Sequence, residues 1–145
     1  MLRIPPPVSM FAYLIVAGAV SWLHPWRALR IVWLGVGLLA FGVAISVWAA
    51  ALFRRERTAI DPMSRTNRSL VVRGPFRFTR NPMYLGLVTM TLGIAFWVGS
   101  PPMFAVPVLV FATVHRAHIP FEEAKMRRQF GAAFDRYTSR VRRWI

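Results

Sequence analysis

Gly74 to Gly86 reads GPFRFTRNPMYLG, and the chain on either side is organised around it. Arg77 and Arg80 mark a water-facing side. Pro82 can open a helix but is costly inside one. From Met83 to Gly99 there are 17 residues without a charge. That is the short end of what crosses a hydrocarbon core of ~30 Å. The stretch is therefore a junction between a polar loop and a membrane-spanning helix.

Moving upstream, residues 54–81 form a long polar segment with eight arginines and only Glu56 and Asp61 as acids. Leu70, Val71, Val72, Phe76 and Phe78 interrupt it, so parts of it should fold back on the protein. Before it, residues 31–53 run for 23 residues without a charge, the strongest span in the chain. Gly35, Gly37 and Gly42 would let a neighbouring helix approach closely. The first span covers residues 8–24. Pro5, Pro6 and Pro7 precede it, and Trp22 and Trp26 are suited to anchor it at the interface.

Downstream, Ser100-Pro101-Pro102 makes a tight uncharged turn into a fourth span over residues 103–118, with Pro107 inside it. From Phe121 an amphipathic helix is expected over 121–141. Met126, Phe130, Ala133, Phe134, Tyr137, Val141 and Trp144 recur there at steps of three or four. The fold expected is one all-α integral membrane domain, residues 1–145, with about four spans, an arginine-rich loop and a C-terminal amphipathic helix.

Composition agrees. Of 145 residues 56% are hydrophobic, yet the net charge is +14, from 19 Lys+Arg against 5 acids. Nucleic-acid binding would account for the charge but not for the apolar runs. The loop after the second span and the tail from Arg116 onward carry eight basic residues each, against two after the first span. Basic loops face the cytoplasm, which puts both termini and the long loop there. No cysteine is present, so disulfides and thiolate metal sites are excluded.

Residues able to carry chemistry gather at two places. Glu122 and Glu123 are the single acidic pair. They suit capture of a cationic ligand, although acids early in a helix also complement its dipole, and Glu123 can pair with Arg127 one turn on. His115, Arg116 and His118 cluster at the end of the fourth span, where ionisable groups are costly and often functional. No metal-ligand spacing occurs, and Ser64, Thr66 and Ser69 have no histidine base. A hairpin of the third and fourth spans would bring Asn81 and His115 together. A non-catalytic scaffold and a small transporter are the competing readings, and the spans offer few polar groups for transport.

Two blocks, LVVRGPFRFTRNPMYLG over 70–86 and EEAKMRRQFGAAFDRYTSRVRRWI over 122–145, resemble the isoprenylcysteine carboxyl methyltransferase family. Phospholipid and thiol methyltransferases are its more distant relatives. The residues that carry the resemblance are Leu70, Val71, Gly74, Pro75, Arg80, Pro82, Tyr84, Gly86, Glu122, Glu123, Phe130, Gly131, Tyr137 and Arg140, about the C-terminal half. The resemblance implies S-adenosylmethionine bound at the cytoplasmic face, by Leu70, Val71, Phe76, Asn81, Pro82, Met83, Tyr84 and the pair Glu122 and Glu123. It implies a lipophilic acceptor reached from the bilayer, with Arg116 or His118 anchoring its anionic end. Asn81 stands where the family has histidine, Phe76 and Phe134 where it has tyrosine, and His118 where it has a substrate-side arginine.

Overall fold

The computed structural model describes residues 4–23, 27, 29–56 and 69–145. Much of the arginine-rich loop, including Arg57, Asp61, Ser64, Arg65, Thr66 and Arg68, lies outside them, as do His24 and Trp26. Among the described residues six α-helices follow one another: α1 (Pro6–Leu23), α2 (Val32–Arg55), α3 (Pro82–Val98), α4 (Pro101–Thr113), α5 (Ile119–Phe130) and α6 (Ala132–Arg140). No strand occurs among the described residues. A short tight helix, Gly74–Arg77, precedes α3.

Among the described residues three helical stretches are long and apolar enough to cross a membrane: α1, α2 and the unbroken run Pro101–Phe130. α3 is apolar but shorter. Their outward faces are hydrophobic, with Trp33 85% exposed and Ile15 71% exposed. Such surfaces are costly in water and cost nothing against lipid tails.

Small residues decide how α2 and α3 meet. Gly35, Gly42 and Ala49 are buried at seven-residue steps along α2. Gly86 and Gly93 repeat the step on α3. A methyl carbon on Gly35 would lie 2.7 Å from the Gly93 carbonyl oxygen, and one on Gly42 would lie 2.7 Å from that of Gly86. The pairing runs antiparallel, and a seven-residue seam keeps it in register over several turns. The backbones touch because nothing but hydrogen lies between them. Gly37 meets no neighbour within 4 Å, so of the three glycines expected to pack closely it faces outward.

α3 turns into α4 at Gly99, whose φ of +75° is the left-handed conformation glycine tolerates. The carbonyls that end α3 are capped from the stretch just before α2. Arg27 Nη1 donates to Val98 O at 3.2 Å and Arg30 Nε to Trp97 O at 3.2 Å. Cations at a helix C-terminus are favourable. Pro101 and Pro102 open α4 rather than forming the turn. α1 then packs along α4, with Met10 and Ala17 against Ala95, Met103, Val106 and Val110, and Tyr13 Oη lies 3.0 Å from Thr113 Oγ1. α1 and α2 do not pack extensively on each other.

Two features differ from the separate spans and single tail helix expected over 103–118 and 121–141. First, the fourth span does not stop near His118. A wide turn, Val114–His118, carries α4 into α5, and Ile119 N–H bonds to Val114 O five residues back. Pro120 has no N–H to give Arg116 O, and a widened turn absorbs that loss. Second, Gly131, with φ +49°, breaks the tail helix into α5 and α6. α6 can then fold back over the 74–81 segment.

Candidate active site

The segment before α3 is held from three sides. Val71 and Phe76 are buried against Ala49 and Leu52 of α2, with Phe53 edge-on to Phe76 at 5.1 Å between ring centres. From α6, Tyr137 Oη donates to Phe76 O at 2.8 Å. Burial holds the Tyr137 hydroxyl well above its usual range, Arg80 offsetting part of this, so the group stays a donor. From the C-terminus, Arg142 O accepts from Arg80 N–H at 3.0 Å. Arg143 O accepts from Asn81 Nδ2 at 2.9 Å and from Thr79 Oγ1 at 3.1 Å. Trp144 pins this strap, its indole N–H donating to His115 Nδ1 at 3.1 Å, with His115 stacked on Phe111 at 5.4 Å.

Glu122 and Glu123 are adjacent but differently engaged. Glu122 accepts a hydrogen bond from Tyr84 Oη in the first turn of α3. The extra residue in the Val114–His118 turn rotates everything after it by about 100° relative to an unbroken α-helix, and this aims Glu122 at α3. Glu123 is taken by Arg143, through Nε at 3.1 Å and Nη2 at 2.6 Å, and by Arg80 Nη1 at 3.0 Å. The Glu123–Arg127 pair expected from spacing does not form; Arg127 pairs with Asp135 at 2.9 Å across the Gly131 break.

Two adjoining cavities lie between these walls. The larger, about 550 Å³, is lined mainly by apolar groups, among them Pro5, Pro6, Pro7, Phe53, Met83, Leu87, Met90 and Met126, with Tyr84, Asn81, Arg80, Glu122 and Lys125 at its polar end. The smaller, about 90 Å³, lies under Leu70, Val71, Phe134 and Tyr137 and shares Phe53, Phe76, Arg80, Asn81, Glu122 and Met126 with the first. Every residue assigned to the cofactor from the sequence lines one or both: Leu70, Val71, Phe76, Asn81, Pro82, Met83, Tyr84, Glu122 and Glu123. Arg116 and His118 line neither. Arg116 is exposed, and His118 is buried with its ring 6.4 Å from that of Tyr84. No group of three or more His, Asp or Glu could hold a metal ion among the described residues.

The sequence did not single out Pro5–Pro7, Ser46, Lys125 or the Arg80–Glu123–Arg143 cluster. The last had one trace, since Arg80 sits inside the quoted motif and Arg143 in the quoted tail.

Comparison with known families fixes the class. The model of the family described as phospholipid methyltransferase matches residues 30–133, which is most of the chain. The chain belongs to this family. It is thus a membrane methyltransferase, and the match runs from the start of α2 into α6, across both cavities. An uncharacterized protein of Haemophilus influenzae is 29% identical over 63 residues, which is 43% of this chain and all of that protein. No solved structure matches the chain. α1 and most of α6 with the strap lie outside the family match, yet both supply cavity wall to this methyltransferase.

Proposed function

We propose that the chain transfers a methyl group from S-adenosylmethionine to a lipophilic acceptor at the cytoplasmic face of its membrane. The observation that carries this is the polar wall that the two cavities share, Arg80, Asn81 and Glu122, with Tyr84 beside it at the polar end of the larger, mainly apolar one. The combined space falls within the range of small-molecule sites. The groups present suit the donor. Glu122 can face an ammonium or ribose hydroxyls, Asn81 Oδ1 is an acceptor once its Nδ2 is committed to the strap, and the Phe53–Phe76 pair offers an aromatic wall for a purine.

When bound, S-adenosylmethionine supplies an electrophilic methyl carbon on a sulfonium. The work of the chain is then alignment and exclusion of water. Tyr84, fixed to Glu122, sets the polar end of the larger cavity. Leu87, Met90 and Met83 give an apolar acceptor chain a dry path. α1 and α2 border that cavity without closing on each other, which leaves a side towards the bilayer for entry.

A carboxylate acceptor, as in isoprenylcysteine, or a thiolate would leave no proton to remove and would lie near Lys125 or Arg80. A second reading, a lipid amine acceptor, is favoured by the Tyr84–Glu122 pair. A nitrogen that gains a methyl group must lose a proton, and Glu122 is the carboxylate at the polar end of the larger cavity.

Binding tests the reading directly. S-adenosylhomocysteine should raise the thermal unfolding midpoint of the detergent-solubilised protein, by the stabilisation that any ligand confers on the folded state it binds. No shift at a saturating concentration would set the donor assignment aside.

A further inference from the structure

We propose that Ser46 donates a hydrogen bond to a carbonyl oxygen, ester or amide, of the lipophilic acceptor, and so selects acceptors that carry such a group beside their apolar chain. This rests on the methyl-transfer reading above and narrows its acceptor class. Ser46 lies within α2 and lines the larger cavity but not the smaller. Its hydroxyl is buried and meets no hydrogen-bond partner among the described residues. The Ser and Thr hydroxyls of α1 and α3 behave differently. Ser9 donates to Pro6 O at 2.9 Å, Ser21 to Ala17 O at 2.7 Å, Thr89 to Leu85 O at 2.8 Å and Thr91 to Val88 O at 2.8 Å. Each satisfies itself on its own helix, a usual recourse of a hydroxyl in an apolar span. Ser46 does not, and a buried donor without an acceptor is costly.

The glycine seam makes room for the hydroxyl. It packs against Gly86, where a methyl carbon would collide with Ser46 Oγ. A single torsion, χ1, governs where it points, so it can turn from Gly86 towards a ligand in the cavity. Depth assigns Ser46 to the acceptor rather than the donor. Ser46 and Phe53 share a face of α2, two turns or ~10 Å apart, and Phe53 borders both cavities. Arg54 and Arg55 mark the polar end of α2, so Ser46 lies on the bilayer side of Phe53. The cavity there is walled by Met83, Leu87 and Met90. The ionic groups of the methyl donor have their partners at the other end, with Arg80, Lys125 and Glu122. A plain hydrocarbon chain would leave the hydroxyl unsatisfied. A carbonyl oxygen accepts from it and, unlike a charged group, enters an apolar site at modest cost once hydrogen-bonded. In a lipid or lipidated molecule that group is the ester or amide near the root of the chain.

The test follows methyl transfer by the detergent-solubilised full chain to two matched pairs of acceptors. One pair is a lipid amine with ester-linked chains and its ether-linked counterpart. The other is a prenylated N-acylcysteine and the prenylthio acid that lacks the amide. In at least one pair the carbonyl-bearing member should have a KM ~3- to 10-fold lower, the range of one neutral hydrogen bond, with kcat within about twofold. That pair identifies the source of the carbonyl. Ser46→Ala should raise the lower KM by a similar factor and leave that of the carbonyl-free partner unchanged. The variant should fold, because the hydroxyl it removes bonds to no described residue. Equal wild-type KM values within both pairs would overturn the proposal, as would an equal rise for both members in the variant. If Ser46→Ala does not fold, the wild-type pairs decide alone. Wild-type protein that is stabilised by S-adenosylhomocysteine but methylates neither pair overturns this proposal and spares the donor assignment; protein that does neither removes both.

Discussion

Glu122→Ala is expected to weaken S-adenosylhomocysteine binding by ~100-fold or more while the protein still folds. Two losses add up. The carboxylate proposed to face the ligand's ammonium is gone, and a charge-assisted hydrogen bond is worth about 1.5–3 kcal/mol. The Tyr84 hydroxyl, which donates to Glu122, is left buried at the cavity wall without that acceptor, and it reorients away from the ligand. Glu122→Gln keeps the acceptor for Tyr84 but not the charge, so it should fall between wild type and Ala. Calorimetry on the three proteins reads the order. Unchanged affinity in the Ala variant would take Glu122 out of the site. Folding should survive because Glu122 takes no part in the ion-pair cluster, which is built on Glu123.

The second large effect is structural. Gly86→Leu should destabilise the protein by more than ~3 kcal/mol, at the upper end of what overpacking costs. The Cβ alone would lie 2.7 Å from Gly42 O and collide with Ser46 Oγ. No rotamer relieves a clash that begins at Cβ with backbone, so α2 and α3 must separate. Since Tyr84 and Asn81 sit one turn or so before Gly86, the separation also opens the site. Gly37→Leu is the internal control. It lies on the same helix as Gly42 but meets nothing within 4 Å, and it should change stability by less than about 0.5 kcal/mol. Thermal unfolding in detergent and the yield of monodisperse protein would separate the two. Equal tolerance of both substitutions would mean that the glycine seam does not hold α2 to α3.

That contrast also shows what a sequence can and cannot disclose. Charge-free runs near 20 residues specify spans because bilayer thickness sets their length, so α1, α2 and α3 were legible. Which glycines face a partner was not, because the seven-residue register of Gly35 and Gly42 has meaning only against Gly93 and Gly86. The Gly74–Gly86 stretch announced a junction, and the motif within it led to residues that line the cavities. Local spacing misled at Glu123. The nearby Arg127 is four residues away, but Gly131 turns the chain back and gives Arg127 to Asp135. Glu123 is left to arginines 20 and 43 residues distant. The continuity of α4 with α5 was hidden for a similar reason. A proline at position 120 reads as a helix start, and the structure keeps the helix by widening the turn before it. Pro5–Pro7 could be read only as the entry to a helix, since their place on the cavity wall depends on α1 packing along α4.

The most direct measurement of the central claim follows the methyl group. Membranes containing the protein would be given S-adenosylmethionine labelled in the methyl, and the lipid phase extracted and separated. The account predicts label in an organic-soluble product with the wild-type protein and not with Glu122→Ala. Label confined to the aqueous phase across acceptors bearing a prenylated cysteine, a lipid amine, a thiol and a lipophilic acid would contradict it.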